Sequence, residues 1–258
     1  MARVFNGTNQ YCELGSAVIS SGAATLSAWI YVPSSTDLIY GLSMFNTSGQ
    51  HFWHIRHVNG QGFGAFWYTG VSSSHRYVGT NASVGWHHVA GVWTATNTTA
   101  PTLYVDGVAV SGVSQNGSGT LTVNRTGIAS IIFDGARYYS PGRVAFAAIH
   151  SAALDADECG SLGQFLNGVP CGVHPTMVRP DALVACWDLG GFAGDDDRDT
   201  WGGYDLTAYN SPTFDESPAV IYPDDVLLTG PGVSAGGGGG GSGVVSRILQ
   251  QHGVVLGA

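Results

Sequence analysis

The sequence predicts an all-β fold, a two-sheet antiparallel sandwich of jelly-roll type with one short helix and an extended C-terminal arm. Residues 86–93 form a run that is apolar on both faces, as expected for a strand inside two layers. Residues 103–110 alternate across an Asp-Gly pair. This pair favours a type I′ hairpin turn, in which both central residues take positive φ. Short candidate strands recur at even spacing up to about residue 150, separated by Gly, Asn and Ser.

A single helix is predicted after these strands. Asp155 is a suitable N-cap, and Glu158 three residues later completes a capping box. The apolar residues that follow fall on one stripe of a helix: Cys159, Leu162, Phe165 and Leu166. Gly168 is the expected end of this helix.

The segments W-H-H-V-A at 86–90 and L-Y-V-D-G at 103–107 resemble the signature of laminin-G-like domains of the concanavalin A-like superfamily. The run S-A-A-L-D-A-D-E-C at 151–159 is similar to the end of the family's closing strand, and residues 183–189 with 205–207 resemble its final strand pair. The resemblance implies one laminin-G-like sandwich over residues 1–225. It does not fix a function, since lectins, glycosidases and structural modules share this fold.

The composition changes near residue 226. A Gly-rich linker over 226–243 includes six consecutive glycines, and such a run is expected to be flexible. An apolar tail follows over 244–258, and we expect it to bind a neighbouring subunit as an added strand or in a groove. The residues expected to contact the partner are Val244, Val245, Ile248, Leu249, Val254, Val255 and Leu256.

Charge is scarce in this chain. Charged residues make up 10% of the sequence, against roughly 25% in a typical soluble protein. The net charge of −9 argues against binding to nucleic acid or to an anionic membrane surface. The N-terminus lacks the apolar stretch of a secretory signal, and no segment is apolar enough to cross a membrane, so we expect no membrane insertion.

Catalytic patterns are missing from the sequence. The resemblance makes a glycosidase the first enzyme to consider, and retaining glucanases of the superfamily carry an E-x-D-x-E pattern on one strand. Here Glu13, Glu158 and Glu216 lie more than ten residues apart. Serine-nucleophile, phosphate-loop and dinucleotide motifs are also lacking. We therefore expect a non-enzymatic protein without a firmly implied cofactor.

Calcium is the one metal for which the sequence offers candidates. Asp195, Asp197 and Asp199 lie in an acidic run, and carboxylate oxygens suit Ca²⁺, which laminin-G-like domains often carry on their rim. A solvated acidic loop is the alternative. Histidines 51, 54 and 57 are not expected to form a site, because strand alternation places His54 on the opposite face from the other two.

The four cysteines show no C-x-x-C pattern. Buried free thiols are favoured, and a bridge between Cys159 and Cys171 is the alternative.

Aromatic residues are plentiful, and some are candidates for stacking on sugar rings. Most of them are expected to lie in the core. The best candidates for a glycan site are Arg137, Tyr138 and Tyr139, because rings stack on sugar faces and an arginine can contact the hydroxyl groups. The wider set of candidate rings is Phe52, Trp53, Phe66, Trp67, Tyr68, Trp201 and Tyr204.

These patterns favour a structural or binding protein on a virion surface, such as a capsid decoration or tail-associated protein of a phage. Its C-terminal arm would anchor it to other virion subunits or to copies of itself, with glycans as a further partner. The alternative is a carbohydrate-binding lectin module that is extracellular or at a cell surface. Deletion of residues 236–258 distinguishes the two, because it should abolish assembly only in the first.

Overall fold

The computed structural model describes residues 1–34, 38–58, 60–70, 73–77, 83–94, 100–190 and 197–221. These residues form two large antiparallel sheets with one short α-helix, which confirms the predicted all-β sandwich. The predicted linker over 226–243 and tail over 244–258, with all seven of the tail's predicted contact residues, lie outside the described residues.

The strands in chain order are β1 (Ala2–Asn6), β2 (Tyr11–Leu14), β3 (Ala24–Val32), β4 (Ile39–Phe45), β5 (Phe52–Val58), β6 (Gly62–Tyr68), β7 (Ser73–Tyr77), β8 (Gly85–Trp93), β9 (Thr102–Val105), β10 (Val108–Ala109), β11 (Ser114–Gln115), β12 (Arg125–Ile128), β13 (Ser130–Phe133), β14 (Ala136–Tyr139), β15 (Pro141–His150), β16 (Phe165–Leu166), β17 (Val169–Val173), β18 (Leu183–Trp187), β19 (Thr207–Tyr209), β20 (Thr213–Asp215) and β21 (Ala219–Ile221). Helix α1 spans Ala156–Leu162, and a 3₁₀ turn spans Pro175–Met177.

The first sheet has the order β10-β9-β8-β3-β15-β1-β20, and β18 also pairs with β15. Its central strands β8, β3 and β15 are buried on both faces, which explains the continuous apolar run seen in the sequence. Asp106 and Gly107, at the turn between β9 and β10, have φ values of 53° and 75°. The predicted Asp-Gly hairpin is therefore present.

The second sheet has the order β11-β7-β6-β5-β4-β12-β2-β19. Its inward-facing side chains pack against the first sheet in one continuous core, in which Trp53, Trp67 and Trp93 are almost fully buried. The opposite face of this sheet carries the remaining side chains of each strand, which alternate with those in the core. That outer face is partly covered by the β13–β14 hairpin.

Three sequence expectations need correction. Helix α1 ends at Leu162, and Phe165 and Leu166 form strand β16 against β17 instead of extending the helix to Gly168. Residues 183–187 and 207 do lie in strands, but β18 joins the first sheet and β19 joins the second, so they are not a pair. The alternative Cys159–Cys171 bridge is also wrong, because all four cysteines are free thiols.

Helix α1 ends with Gly163 as its C-cap, and this residue packs closely on the β9–β10 turn. A side chain at Gly163 would place its Cβ only 2.3 Å from the backbone nitrogen of Gly107 in the β9–β10 turn. The capping box at its start is formed as predicted, with Glu158 N donating to Asp155 Oδ1 at 2.9 Å and Asp155 N donating to Glu158 Oε2 at 2.8 Å.

Candidate functional site

A cleft lies on the outer face of the second sheet. Along β5, Trp53 and Ile55 point into the core, so alternation turns Phe52, His54 and Arg56 outward. The same alternation on β6 turns Phe66 and Tyr68 to this face beside them. Strands β4 to β7 thus form a floor of aromatic and basic side chains.

The β13–β14 hairpin forms one wall of the cleft. The chain leaves β12 at Ala129, whose φ is 60°, and Ser140 N donates back to Ala129 O at 3.0 Å. Ser140 Oγ also accepts a hydrogen bond from Tyr40 N at 3.0 Å. These contacts fix the base of the hairpin over strand β4.

The tip of the hairpin is held by the turn between β4 and β5. Asp134 N donates to Gly49 O at 3.2 Å, and Gly135 N donates to Ser48 O at 3.1 Å. Gly49 has a φ of 70°, and a Cβ there would lie 2.5 Å from Asp134 N, so only glycine permits this approach. The hairpin is anchored at both ends, and the cleft is therefore preformed.

The cleft has a volume of about 560 Å³, which is in the range of small-molecule sites. Phe133 and Tyr138 on the hairpin are 42% and 45% exposed, so large aromatic surface at the rim is open to solvent. Phe52 links the rim to the floor, with its ring centroid 5.8 Å from Phe133 and 5.1 Å from Tyr68. The lining residues are Leu38, Tyr40, Phe52, His54, Arg56, Phe66, Trp67, Tyr68, Ser73, His75, Ile131, Phe133 and Tyr138.

Three nitrogen-bearing side chains interrupt this aromatic surface. Burial, assisted by the charge of Arg56, lowers the pKa of His54 well below its ordinary value. Burial and the same guanidinium also lower the pKa of His75. Both histidines are therefore neutral at pH 7, and Arg56 supplies the positive charge of the cleft.

The three residues predicted to bind a glycan lie on different faces of the β13–β14 hairpin. Tyr138 pairs with Ile131 and shares the cleft face with it. Arg137 lies on the other face, where its guanidinium is 4.3 Å from the ring centroid of Tyr11 and bonds Glu13 Oε2 at 2.6 Å. Tyr139 also contacts Tyr11, at 5.7 Å between centroids. Only Tyr138 of the three lines the cleft.

The wider set of candidate rings is distributed between the cleft, the core and an exposed loop. Phe52, Phe66 and Tyr68 line the cleft, whereas Trp53 is buried in the core. Trp67 is also buried in the core, although it borders the floor of the cleft. Tyr204 packs at the margin of the core, and Trp201 is exposed in the loop before β19.

The acidic run predicted to bind Ca²⁺ is only partly described, since Asp195 lies outside the described residues. Asp197 forms an ion pair with Arg3. Asp199 accepts four backbone N–H groups through its two carboxylate oxygens, from residues 186, 201, 202 and 204, at 2.8–2.9 Å. Both carboxylates are thus engaged by the protein itself, and Ca²⁺ binding by this run stays a prediction.

Another group with metal-ligand chemistry brings together His174, Cys186 and Asp188. Their ligand atoms lie within 4.8 Å of one another, and imidazole, thiolate and carboxylate together suit Zn²⁺. However, His174 Nε2 is 2.8 Å from Asp188 Oδ1, and its Nδ1 is 2.8 Å from Thr176 Oγ1. Burial and the charge of Asp188 raise the pKa of the Cys186 thiol, which is protonated at pH 7. A hydrogen-bonded pair beside a buried thiol accounts for these contacts without an ion.

A Ser83–His87–Asp106 arrangement superficially matches a catalytic triad. His87 Nδ1 is 2.8 Å from Asp106 Oδ2, and its Nε2 is 3.1 Å from Ser83 Oγ. The same Nε2 lies 3.0 Å from the carbonyl oxygen of Ser83, which requires it to carry a proton and donate. A base that must donate to a carbonyl does not activate the serine, so the arrangement is structural.

The carboxylate of Asp106 makes two contacts with strand β8. Its Oδ1 accepts the backbone N–H of His88 at 3.0 Å, and its Oδ2 contacts the His87 ring. Burial lowers the pKa of His87, but the hydrogen bond and charge of Asp106 outweigh that effect, so the pKa is raised overall. The W-H-H and D-G segments of the sequence therefore contact each other directly and fix strand register.

The variant Asp106→Asn should lower the pKa of His87, because the amide keeps an oxygen for His88 N but carries no charge. An NMR titration of the His87 ring protons measures this change. Asp215→Asn removes a carboxylate far along the chain and serves as the control. An unchanged His87 pKa in Asp106→Asn would contradict the role given to Asp106.

Residues 6–159, more than half of the chain, match the family model described as the concanavalin A-like lectin/glucanases superfamily. The chain belongs to this superfamily. Among curated proteins, none matches its sequence.

Solved structures share the superfamily fold at low sequence identity. A heptameric SAP-like pentraxin from Limulus polyphemus is 13% identical, with a TM-score of 0.54, over 82% of this chain and 93% of the pentraxin chain. A protein from Bacteroides ovatus, described as a putative carbohydrate binding protein, is 18% identical, with a TM-score of 0.55, over 82% of this chain. The match spans 58% of that second protein. At these identities the likeness concerns the fold.

The three glutamates of this superfamily member lie apart from one another. Glu13 pairs with Arg137, Glu158 caps helix α1, and Glu216 is exposed beyond β20. Within the described part of the chain, helix α1 is too short to span a membrane, and no other helix is long and apolar enough to do so.

Proposed function

We propose that the protein is a non-catalytic carbohydrate-binding module that holds a saccharide in the cleft between the second sheet and the β13–β14 hairpin. The observation that carries this proposal is the combination of exposed rings at the rim with polar groups on the floor. Aromatic faces pack on the C–H faces of sugar rings, and the polar groups set orientation by hydrogen bonds. The superfamily includes lectins, which is consistent with this proposal.

The geometry favours a sugar over a purely apolar ligand. Phe133 and Tyr138 expose ring surface to solvent, and Tyr68 packs against Phe133 with the ring centroids 6.3 Å apart. Arg56, Ser73 and His75 supply donors and acceptors within the same cleft. A saccharide has both kinds of surface, since its hydroxyl groups surround two apolar ring faces.

Removal of the rim rings tests the proposal. Tyr138→Ala and Phe133→Ala should each weaken binding of a glycan identified on an array by about fivefold, since an aromatic contact is worth about 1 kcal/mol. Isothermal titration calorimetry measures the loss. Trp201→Ala is the matched control, because this ring is 47% exposed but lies outside the cleft. Equal affinity in all four proteins would refute the cleft as the site.

Display on a virion surface is the second proposed role. It rests on the sequence alone, through the glycine run at 236–241 and the apolar tail at 244–258. A glycan-binding domain on a flexible tether would reach its ligand while the tail held a neighbouring subunit. Deletion of residues 236–258 should abolish co-assembly with particles and leave glycan binding by the sandwich unchanged. Normal incorporation of the truncated protein would contradict this role.

A further inference from the structure

Arg56 differs in its pairing from five other arginines of the described residues. It is half-buried on β5, and none of the carboxylates among the described residues pairs with it. Its Nε is buried without a hydrogen-bond partner. Each of five other arginines has an acidic partner: Arg3, Arg125, Arg137, Arg143 and Arg179.

Rings hold the guanidinium of Arg56 in the cleft. Its Cζ lies 4.2 Å from the ring centroid of Phe66 and 5.8 Å from that of Tyr40. A guanidinium stacked on one face presents its N–H groups in a fixed plane, and although Arg56 also hydrogen-bonds the Tyr40 side chain, its Nε is unpaired. That plane is suited to two parallel hydrogen bonds with a carboxylate.

Among the described residues that line the cleft with Arg56, no side chain is an anion. Tyr, Phe, His, Ser, Leu, Ile and Trp side chains make up the rest of the described lining, and none of them is acidic. His54 lies directly beside this surface, fully buried, with both ring nitrogens lacking a hydrogen-bond partner among the described residues. The imidazole of His54 is thus a further polar group next to Arg56, beneath the aromatic surface of the cleft.

We infer that the cleft binds an acidic saccharide, with the sugar carboxylate held by Arg56 and the sugar rings packed on the rim aromatics. This inference rests on the proposed saccharide-binding function and adds the class of ligand. It makes the cleft a local positive site on a protein whose net charge is −9. Of the side chains described in the cleft, Arg56 is the one that would hold the anion.

The test compares pairs of oligosaccharides that differ only at C6, with a carboxylate in one member and a hydroxymethyl group in the other. Wild-type protein should bind the carboxylate member at least tenfold more tightly in calorimetry. Arg56→Gln should lose at least tenfold in affinity for the acidic member and change little toward the neutral one. Arg56→Lys should lose part of the preference, because lysine keeps the charge but lacks the planar pair of donors.

Arg143→Gln is the matched control, since Arg143 also stacks on a ring, at 4.5 Å from Tyr31, but pairs with Asp215 outside the cleft. Thermal unfolding confirms that each variant is folded. Binding of both sugars with no preference, or an equal loss for both in Arg56→Gln, would overturn the acidic-ligand inference alone. Absence of binding to any saccharide would overturn the proposed function itself. A third oligosaccharide of the same backbone, sulfated at C6, completes the test, and tighter binding of it than of the carboxylate member would overturn the assignment of a carboxylate.

Discussion

Asp199→Ala is expected to destabilise the protein by about 3 kcal/mol, because it removes the acceptor for four backbone N–H groups at once. The carboxylate is buried and lies where the loop after residue 197 returns to strand β18. One N–H that it accepts, that of Cys186, belongs to β18 itself. The other three belong to residues 201, 202 and 204, and they set the path of the loop.

Loss of the Asp199 carboxylate should also disrupt a hydrogen bond in the core. Tyr204 O accepts the indole N–H of Trp187 at 2.8 Å, and Trp187 is completely buried. Once the loop is released, Trp187 keeps its packing but loses the hydrogen bond that its indole N–H donates to Tyr204 O. Urea unfolding followed by tryptophan fluorescence should therefore show a lower midpoint.

Two further variants separate the carboxylate's role from a general effect of substitution. Asp199→Asn should cost less than Asp199→Ala, because the remaining amide oxygen still accepts two of the four N–H groups. Asp215→Asn should cost under about 1 kcal/mol, since Asp215 forms a solvent-exposed pair with Arg143. If Asp199→Ala unfolds at the same urea concentration as Asp215→Asn, the structural role given to Asp199 is wrong.

The fold could be predicted because its strongest signals are local. The run at 86–93 and the Asp-Gly turn at 106–107 lie in adjacent strands, and Asp106 bonds both histidines of the run. These contacts depend on residues within about twenty positions of one another. The local sequence pattern therefore also predicts the register of these strands.

The helix shows where such patterns fail. Phe165 and Leu166 continue the helical spacing, but in the structure they form strand β16 and pair with β17. Strand β17 in turn pairs with β21, which lies about fifty residues further along the chain. A tertiary contact of this kind overrides the local apolar period.

The cleft could be predicted only in part. Phe52, Phe66 and Tyr68 were recognisable as candidate rings, but their assembly depends on strand pairing that the sequence does not display. Asp134-Gly135 repeats the cue that identifies the β9–β10 turn, with φ values of 49° and 75°. The Asp-Gly pair at 134–135 therefore predicts the β13–β14 hairpin. Alternation of side chains along β14 then places Tyr138 on one face of the hairpin, and Arg137 and Tyr139 on the other.

Acidification is expected to produce the second large loss of stability. Burial lowers the pKa of His88 to about 3, and burial lowers that of His150 to about 4 despite its hydrogen bond to Val178 O. Both lie below the ordinary histidine value of about 6.5 that applies in the unfolded chain. Below pH 6.5 the unfolded state therefore binds protons that the folded state does not, so the free energy of unfolding falls as pH falls.

Each of these two histidines should remove about 1.4 kcal/mol per pH unit below 6.5, until the pH reaches its own folded-state pKa. His54, whose pKa is also lowered by burial, acts in the same direction. His87 does not offset this slope, because Asp106 raises its pKa and the stability gained from its protonation is already complete below about pH 6.5. The net effect of these histidines is a steep loss of stability between pH 6.5 and 5.

Urea unfolding at pH 7.0, 6.0 and 5.0 measures this slope, in a range where most carboxylates stay ionised. His88→Phe keeps a planar ring beside Trp29, which His88 meets edge-on at 5.4 Å between centroids, but it cannot take up a proton. Its slope should be shallower than that of the wild type by about 1.4 kcal/mol per pH unit. In His150→Gln the amide can still donate to Val178 O, and the slope should fall by a similar amount. Parallel slopes in all three proteins would show that these buried histidines do not control acid stability.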